Sequence, residues 1–404
     1  MRCNDDARRD VLVSLAAKAA AVLPQLATAH ACKDGRSLHL YRAGLQDGQV
    51  RFGLFGRDLL ITARLLRNPR FTQDVLYFVA ETLGVRTDAR SGEEPGRGLH
   101  ERDRIEMRGR LTRYNALDVT PLFLVTLGEY VDASGDEAIL ADLDSAIERA
   151  IGFMVAHLAN GRFVEDPSFA EADGYALRAT YWKDSRLPER EDPCYPVAYG
   201  LVQAQAVAAL RAADGLLGKW QRLAERCPGN LATLATDALD ELTRHMWDRK
   251  HNLPLIALDG CGRIEGVSSD MLHMLDFLEP GDLDAAKLVA IARAARSLVT
   301  PYGIRSFAPG QTDYDSHSYH LGAVWPFEQA IIFRGARAHG LTTVCEAALG
   351  VIQALEAEGF PELVYWDGGV LEGARAVPEQ GCDLQLWTLA VPSALLAAGV
   401  AEGA

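Results

Sequence analysis

The sequence predicts an all-α protein in which paired helices close into a double-layered (α/α)6 barrel. About eleven stretches with helical periodicity run through the 404 residues, and β-branched alternation is scarce. One helix per about 34 residues corresponds to about a dozen helices, the number that six antiparallel pairs need. An α-solenoid fits the same count, but the absence of a fixed-period sequence repeat disfavours it.

The predicted helices are rich in Ala, Leu and other good helix formers. They cover residues 10–29, 57–67, 72–84, 119–131, 137–158, 197–214, 230–247, 283–297, 323–339, 342–358 and 384–400. Residues 37–55 could hold one or two short strands, and no linker or break in composition divides the chain. The sequence therefore predicts a single domain over residues 1–404.

Long loops rich in Gly, Asp, Pro and Arg separate many of these helices. They cover residues 86–116, 161–196, 249–270, 299–322 and 360–383. Long loops without regular structure are commonly functional, and these loops carry aromatic and charged residues instead of Ser/Gly filler. We therefore expect a functional site built from loops.

Charge and cysteine content narrow the class of protein. The formal net charge of −14 repels polyanions and disfavours nucleic acid as a partner, whereas small neutral substrates such as most sugars are compatible. The seven cysteines form no C-x-x-C pair, so we expect free thiols and a reducing compartment. We find no secretory signal and no stretch of about 18 apolar residues, so a cytoplasmic protein without membrane contact is predicted.

Polar candidates for a site begin with Arg57 and Asp58, which open an apolar helical run. Asp58 fits a helix N-cap, but a guanidinium beside a carboxylate can also bind vicinal sugar hydroxyls. The loop before the 119–131 helix adds further polar candidates: Glu94, His100, Tyr114 and Asp118. A solvated charged loop and a capping aspartate remain alternative explanations for this second group.

Asp184 follows Trp182 and Lys183 in a loop. The aromatic face of Trp182 suits a sugar ring, and apolar surroundings favour the neutral carboxyl that a general acid needs. The ammonium group of Lys183 would oppose this effect if it pointed inward. A surface loop with one exposed aromatic residue is the alternative.

The C-terminal half supplies a second carboxylate. Glu362 lies between a proline and apolar residues, an unusual position for a carboxylate that is merely solvated. A basic residue and several aromatic or histidine residues accompany it in neighbouring loops: Arg305, Tyr319, His320, Trp325, Tyr365 and Trp366. Packing at a helix start is the alternative for the aromatic residues at 319–325. Glycoside hydrolysis usually needs two carboxyl groups, and the loops offer such a pair.

Together these motifs resemble the bacterial amylo-α-1,6-glucosidase-like (glycogen-debranching-type) proteins, which are six-hairpin glycosidases related to glucoamylases and trehalases. Recognisable forms of eight motifs occur in the family's order between Arg57 and Trp387, among them Phe-Gly-Arg-Asp, Glu-Glu-Pro-Gly, Trp-Lys-Asp-Ser and Gly-x-Arg-Ser. Each motif alone is weak, but their common order is specific and covers nearly the whole chain.

The resemblance implies one (α/α)6-barrel catalytic domain with its site at the loop-rich mouth. By motif position, Asp184 corresponds to the general acid and Glu362 to the general base of an inverting glycoside hydrolase. The implied substrate-binding residues are Arg57, Asp58, Glu94, His100, Tyr114, Asp118, Trp182, Lys183, Arg305, Tyr319, His320 and Trp325, and Tyr365 and Trp366 would narrow the leaving-group side. We expect cleavage of α-linked glucosyl or related residues from short oligosaccharides or small glycosides, without a cofactor or metal.

Departures from the family leave the substrate open. Phe327 and Glu328 replace a His-Asp pair, and a large N-terminal β-sandwich that is common in relatives is absent. One alternative is a hydrolase of mannosylglycerate or glucosylglycerate, whose carboxylate would need a cation such as Lys183, Arg186 or Arg190. A more remote alternative is a sugar epimerase or isomerase that uses histidines. The sequence does not predict an oligomeric state.

Overall fold

Helices dominate the computed structural model, which describes residues 2–227, 230–377 and 380–400. The α-helices in these ranges are α1 (Arg2–Val22), α2 (Gly56–Leu66), α3 (Pro69–Thr82), α4 (Val119–Ser134), α5 (Ala138–Asp142), α6 (Asp144–Ala156), α7 (Gly200–Lys219), α8 (Gln221–Ala224), α9 (Leu231–Arg244), α10 (Asp270–His273), α11 (Ala285–Ala295), α12 (Pro326–Ala338), α13 (Thr342–Ala348), α14 (Val351–Glu358), α15 (Leu386–Leu389) and α16 (Val391–Ala397). Short 3-10 turns lie at Leu23–Leu26, Pro167–Ala170, Met274–Asp276 and Ala374–Ala376.

An inner ring of helices closes on itself. In this ring α2 packs against α4, α4 against α7, α7 against α10, α10 against α12, and α12 against α16, while α15 and α16 pack back against α2. The helices α1, α3, α6, α9, α11, α13 and α14 pack around this ring from outside. This alternation of inner and outer helices is an (α/α)6 barrel, so the predicted fold class is confirmed.

Side-chain chemistry assigns helices to the two layers. Inner helix α4 is apolar on all sides, and its residues 119–128 are buried without exception, as expected for a helix inside a core. Outer helix α9 instead buries one stripe at helical spacing, including Leu231, Ala235, Ala238 and Leu242, and exposes most of its other residues. Such a stripe covers an inner layer and leaves the opposite face to solvent.

Short antiparallel strands occupy the loops. They are β1 (Ala27–Ala31), β2 (Ser37–Tyr41), β3 (Gly44–Gln46), β4 (Gln49–Phe52), β5 (Glu106–Met107), β6 (Arg110–Leu111), β7 (Leu158–Ala159), β8 (Arg162–Phe163), β9 (Ala198–Tyr199), β10 (Trp247–Asp248), β11 (Leu253–Pro254), β12 (Ala257–Asp259), β13 (Gly262–Ile264), β14 (Val299–Thr300), β15 (Gly303–Ile304), β16 (Val364–Trp366), β17 (Leu371–Gly373) and β18 (Leu384–Gln385). Residues 37–55 hold three of these strands, more than the one or two predicted.

Several predicted helix boundaries are wrong for identifiable reasons. The helix predicted over 10–29 spans Arg2–Val22, because Pro24 follows in a 3-10 turn and residues 27–31 pair with β2. The stretch 137–158 is divided at Leu143 into α5 and α6, and the stretch 342–358 is divided into α13 and α14. The stretch 384–400 begins as strand β18, which pairs with β3, before α15 starts.

The six inner positions begin at one end of the barrel. Each inner helix is followed by an outer element that returns the chain, so successive inner helices run in the same direction. The segments 83–118, 157–199, 245–269, 296–325 and 359–385 lead into the starts of α4, α7, α10, α12 and α15, and residues 53–55 lead into α2. The loops with the predicted site residues therefore gather at the ends where the inner helices start.

The expectation of free thiols is wrong for one pair of cysteines. Cys194 and Cys261 form a disulfide that links the loop after Asp184 to the β12–β13 hairpin. Cys32, Cys227, Cys345 and Cys382 are unpaired. None of the helices in the described ranges combines the length and the apolar character needed to cross a bilayer.

Candidate active site

Asp184 lies in the loop before α7, where two basic side chains approach one of its oxygens. Its Oδ2 atom is 3.4 Å from Nη1 of Arg57 and 3.5 Å from Nε2 of His100. The Asp184 side chain keeps 24% of its surface exposed, whereas those of Arg57 and His100 are buried. Asp184 is therefore the group of this cluster that a ligand can reach from the mouth.

Arg57 is held in place by Asp118. Its Nε atom donates to Asp118 Oδ2 at 2.7 Å and its Nη2 atom to Oδ1 at 3.1 Å, in a bidentate pair that is almost fully buried. Because Arg57 is in the first turn of α2 and Asp118 immediately precedes α4, the pair fastens two inner helices together at the mouth. The third guanidinium nitrogen remains directed at Asp184.

The surroundings of Asp184 lower its pKa. Burial acts to raise it, but the hydrogen bond from His100 and the positive charge of Arg57 outweigh burial, and the pKa lies below its ordinary value. The expectation that aromatic surroundings keep Asp184 neutral is therefore wrong. The ammonium group of Lys183, which could have acted on Asp184, pairs with Asp270 instead.

Glu362 precedes β16 and is buried. Its Oε1 atom accepts a hydrogen bond from the Tyr319 hydroxyl at 2.6 Å, and its Oε2 atom accepts one from the backbone N–H of Cys382 at 2.9 Å. Burial nevertheless raises the pKa of Glu362 to about 7, against the lowering effect of these two hydrogen bonds. Glu362 therefore changes charge near neutral pH.

Asp58 interacts electrostatically with both Asp184 and Glu362. It is buried in the first turn of α2, and Gln385 Nε2 donates to its Oδ1 atom at 3.0 Å. Burial raises the pKa of Asp58 well above its usual value, and the charges of Glu362 and Asp184 raise it further. The charge of Asp184 also raises the pKa of Glu362, so the three carboxyl groups belong to one electrostatic cluster.

An aromatic wall stands beside the carboxylates. His320 stacks on Trp325 with ring centroids 5.2 Å apart, and Trp182 meets both rings edge-on at 5.6 and 5.5 Å. Tyr319 lies edge-on to Trp325, whose indole N–H donates to the Tyr319 carbonyl oxygen. The wall thus orients the phenol that binds Glu362. His320 accepts a hydrogen bond from Ser185, and burial lowers its pKa to about 3.

Lys183 is directed into the barrel wall. Its ammonium group is 3.1 Å from Asp270 Oδ1 and donates to the hydroxyl groups of Ser268 and Ser269 at 2.6 and 3.0 Å. Asp270 also accepts hydrogen bonds from the Trp182 indole and the Tyr181 hydroxyl. Lys183 therefore fixes the loop that carries Asp184, and its predicted contact with a sugar remains a prediction.

Glu94 and Tyr114 lie outside the carboxylate cluster. Glu94 accepts from Arg97 at 2.7 Å and lies 2.9 Å from a ring nitrogen of His157, inside a buried network that also holds Glu165. The Tyr114 hydroxyl donates to the carbonyl oxygen of Thr82 at the end of α3. Both residues brace the loops around the mouth, and their predicted substrate contacts remain untested.

Arg305, Tyr365 and Trp366 form a second group of predicted residues. The Arg305 guanidinium lies 5.2 Å from the ring centroid of Trp366 and donates to the Tyr314 hydroxyl. Tyr365 stacks on His317 and donates to Gln380. Backbone bridges join residue 305 to 324 and residue 324 to 364, two positions after Glu362. These contacts place the second group beside the segment that presents Glu362.

Comparison with known proteins identifies the family of the chain. Residues 127–376, more than half of the chain, match the model of the mannosylglycerate hydrolase MGH1-like glycoside hydrolase domain. The chain belongs to this family. No curated protein matches the chain.

Solved structures share the fold of this MGH1-like glycoside hydrolase. The GH63 mannosylglycerate hydrolase of Thermus thermophilus, in complex with Tris and D-glycerate, superposes with a TM-score of 0.65 at 14% sequence identity, covering 95% of this chain and 100% of that chain. The same enzyme in complex with glucose gives a TM-score of 0.60 at 15% identity, covering 95% and 99%. These likenesses show the shared fold. The family match to a glycoside hydrolase domain supports the six-hairpin glycosidase superfamily, and it does not support the amylo-α-1,6-glucosidase-like subfamily.

The matched region of the MGH1-like family contains both Asp184 and Glu362, whereas Arg57, Asp58 and Asp118 precede it. The site is therefore built from residues that lie within the matched range 127–376 and from residues that precede it. The comparisons show a glycoside hydrolase, and they leave the roles of individual residues to be proposed.

Three residues of the site were missed from the sequence. Asp270 fixes the Trp182 loop, Gln385 binds Asp58, and Glu101 stands 3.8 Å behind the His100 ring. Gln385 belongs to another of the eight family motifs, Cys-x-x-Gln-x-Trp at residues 382–387, and Asp270 starts a short, largely apolar helical turn. The sequence therefore carried a signal for both residues. No such signal marks Glu101, because it stands among other charged residues, as it would in any solvated charged loop.

Another cavity, of about 660 Å3, lies between β11 and α11. Its lining includes Asp248, Lys250 and Arg293 and none of the predicted site residues. Asp248 already accepts hydrogen bonds from the backbone N–H groups of residues 250 and 251. Asp248 is therefore bound to its own loop, and the cavity's other carboxyl group, that of Glu265, belongs to an exposed residue. The carboxyl groups of Asp184 and Glu362 are the better placed pair.

Proposed function

We propose that this protein hydrolyses, with inversion, a small glycoside whose leaving group carries a carboxylate, as in mannosylglycerate or glucosylglycerate. The observation that carries the proposal is Arg305, a buried guanidinium without a carboxylate partner among the described residues, beside the segment of Glu362. The family match to mannosylglycerate hydrolase MGH1-like domains supports the same substrate class. We also propose that residues 1–404 act as one catalytic domain.

The other candidate cations are already neutralised. Each pairs with a carboxylate of the protein: Lys183 with Asp270 at 3.1 Å, Arg186 with Asp313 at 2.8 Å, and Arg190 with Asp259 at 3.0 Å. In each pair the carboxylate of the protein already occupies nitrogen donors that an anionic ligand would need. Arg305 is the better candidate for binding the acid group of a leaving group.

The Arg305 guanidinium has a hydrogen-bond donor that no described residue uses. Its Nη1 atom binds the neutral hydroxyl of Tyr314, while its Nε atom has no partner within the described part of the chain. Burial lowers the pKa of Arg305, because no negative charge is there to offset the loss of hydration. A ligand carboxylate would accept a charge-assisted, bidentate pair of hydrogen bonds from this guanidinium. The face of Trp366 would fix the plane of the guanidinium.

The proposed chemistry uses two carboxyl groups and water. Protonated Asp184 gives its proton to the glycosidic oxygen as the bond to the anomeric carbon breaks. Ionised Glu362 takes a proton from the water that attacks the anomeric carbon from the opposite face. Positive charge builds on the sugar ring in the transition state, and the nearby carboxylates stabilise it.

These roles require a proton on Asp184, whereas the surroundings of the two carboxyl groups favour the proton on Glu362. The pKa of Asp184 lies below its usual value and that of Glu362 is about 7. Between these values the pair holds one proton, and both placements of that proton have the same total charge. We propose that the substrate reacts with the minor form, in which Asp184 is protonated.

The test is anomer-resolved proton NMR of the purified protein with mannosylglycerate, glucosylglycerate and the neutral α-glucosides isomaltose, maltotriose and trehalose. We expect release of the inverted anomer from a hexosylglycerate, lost in Glu362→Gln. Hydrolysis of a neutral α-glucoside alone would instead support the amylo-α-1,6-glucosidase-like activity. A product with retained configuration would contradict the roles given to Asp184 and Glu362.

The role of Arg305 is tested with Arg305→Met. Loss of one partner from a buried charge pair costs about 2–5 kcal/mol, or roughly 30- to 4,000-fold in kcat/KM. We expect this loss with glucosylglycerate and little change with glucosylglycerol, which lacks the carboxylate. Arg186→Met, which removes a partly exposed arginine paired with Asp313, is the matched control. Equal losses on both substrates would refute the carboxylate contact.

A further inference from the structure

Three side chains of the types that ligate metals meet outside the carboxylate cluster. His30 lies in β1, Cys32 follows the end of that strand, and Glu81 lies in the last turn of α3. Positions 30 and 32 of an extended chain point to the same face, which here is the face toward α3. The hairpin β1–β2 therefore presents an imidazole and a thiol together to a carboxylate.

The donor atoms are close enough to share one ion. His30 Nε2 is 3.2 Å from Glu81 Oε2, and one donor atom each from His30, Cys32 and Glu81 all lie within 4.8 Å of one another. Tetrahedral zinc with ordinary Zn–N, Zn–O and Zn–S bonds holds its ligand atoms about 3.3–3.6 Å apart. Movements of about an ångström would complete this geometry.

The surroundings leave room for a fourth ligand. His30 is buried edge-on against Phe78, while Cys32 and Glu81 are half-buried and line a cavity of about 230 Å3. Three protein ligands with an open position for water form a common zinc arrangement. The mixture of thiolate, imidazole and carboxylate suits zinc better than the hard cations magnesium and calcium.

We propose that His30, Cys32 and Glu81 bind one zinc-class divalent cation that ties the β1–β2 hairpin to α3. The hydrogen bonds that Glu81 now accepts from His30 and Cys32 hold the three groups in register. On binding, the thiol loses its proton to solvent and the sulfur coordinates the ion. The site is independent of the hydrolase site and would act on stability.

A second Cys/Asp/Cys cluster does not support a metal site. Cys194 and Cys261 are joined in a disulfide, and Asp259 already binds Arg190 and two backbone N–H groups. Its sulfur and oxygen atoms are therefore committed to the protein.

The experiment is cobalt titration of the full-length protein after removal of metal with a chelator. We expect one cobalt ion per chain with a thiolate-to-cobalt charge-transfer band in the near ultraviolet. Cys32→Ser should abolish this band, whereas Cys227→Ser, which removes another half-buried free thiol, should keep it. A band that survives in Cys32→Ser, or no band in the wild type, would overturn the proposal.

Thermal unfolding gives a second measurement if Cys32→Ser folds poorly. Zinc should raise the Tm of the wild type and of Cys227→Ser but not that of His30→Gln or Glu81→Gln. Loss of an outer-shell partner alone weakens metal sites by about 10- to 100-fold, so loss of a ligand should weaken zinc binding at least that much. An equal rise in Tm in all four proteins would also overturn the proposal.

Discussion

Replacing Glu362 with glutamine should make the protein more stable at alkaline pH while removing its activity. Glutamine has the shape of glutamate and can keep both hydrogen bonds. Its amide oxygen can accept from the Cys382 N–H, and its NH2 group can donate to the Tyr319 hydroxyl, which then acts as acceptor. The substitution therefore removes mainly the charge.

The magnitude follows from the pKa of Glu362. Burial raises this pKa from 4.5 to about 7 in the folded protein, and each unit corresponds to about 1.4 kcal/mol. A raised carboxyl pKa stabilises the protonated form, so the contribution to stability is complete below about pH 4.5. It is lost as the pH rises through about 7. The ionised residue should then cost the fold about 3 kcal/mol, which glutamine avoids.

The assay is urea denaturation of wild type and Glu362→Gln at several pH values from 5 to 9. The stability difference should grow between about pH 5 and the folded pKa of about 7 and level off above it. Glu356→Gln, which alters an exposed glutamate on α14, is the matched control for loss of a carboxylate. A difference that does not vary with pH would refute the perturbed ionisation of Glu362.

Three further predictions concern the pH dependence of catalysis and the stability that two structural contacts near the site contribute. The value of kcat/KM should fall as pH rises through about 7, because Glu362 then loses the one proton that it shares with Asp184; a pH–rate profile checks this. Arg97→Met should lower stability by about 3–5 kcal/mol in urea denaturation, because it leaves two buried carboxylates without their guanidinium. Cys194→Ser should cost about 4 kcal/mol in a comparison with the oxidised wild type, since its bond to Cys261 closes a loop with a sequence separation of 67.

The fold was largely predictable because its helices carry their own signals. The buried face of α4 is a continuous apolar run, and the N-terminal Arg57-Asp58 of α2 marks the start of an inner helix. The helix predicted over residues 10–29 wrongly includes the first three residues of β1 (27–29), because the Ala-rich sequence of this strand has no β signal of its own. Its conformation depends on pairing with β2, and such tertiary pairing overrides local propensity.

The proposed acid and base are assigned by motif position, which carries no information about their ionisation. Asp184 meets Arg57 across 127 residues, and Glu362 meets Tyr319 across 43. No local pattern around Asp184 reports that a guanidinium from α2 will reach it. The aromatic neighbour predicted a neutral carboxyl, whereas a distant cation sets the actual direction of the pKa.

The charge balance of the mouth links the stability of this protein to its proposed chemistry. Three carboxyl groups, those of Asp58, Asp118 and Asp184, lie around the guanidinium of Arg57. A fourth, that of Glu362, interacts with Asp58 and with the positive charge of Arg51. Full ionisation would leave the cluster strongly negative and buried, so Asp58 and Glu362 retain protons to higher pH. A sugar ring that gains positive charge in the proposed transition state would partly balance the negative charge of these carboxyl groups. The same surplus of carboxylates that weakens the folded protein at alkaline pH would therefore stabilise the oxocarbenium-like transition state.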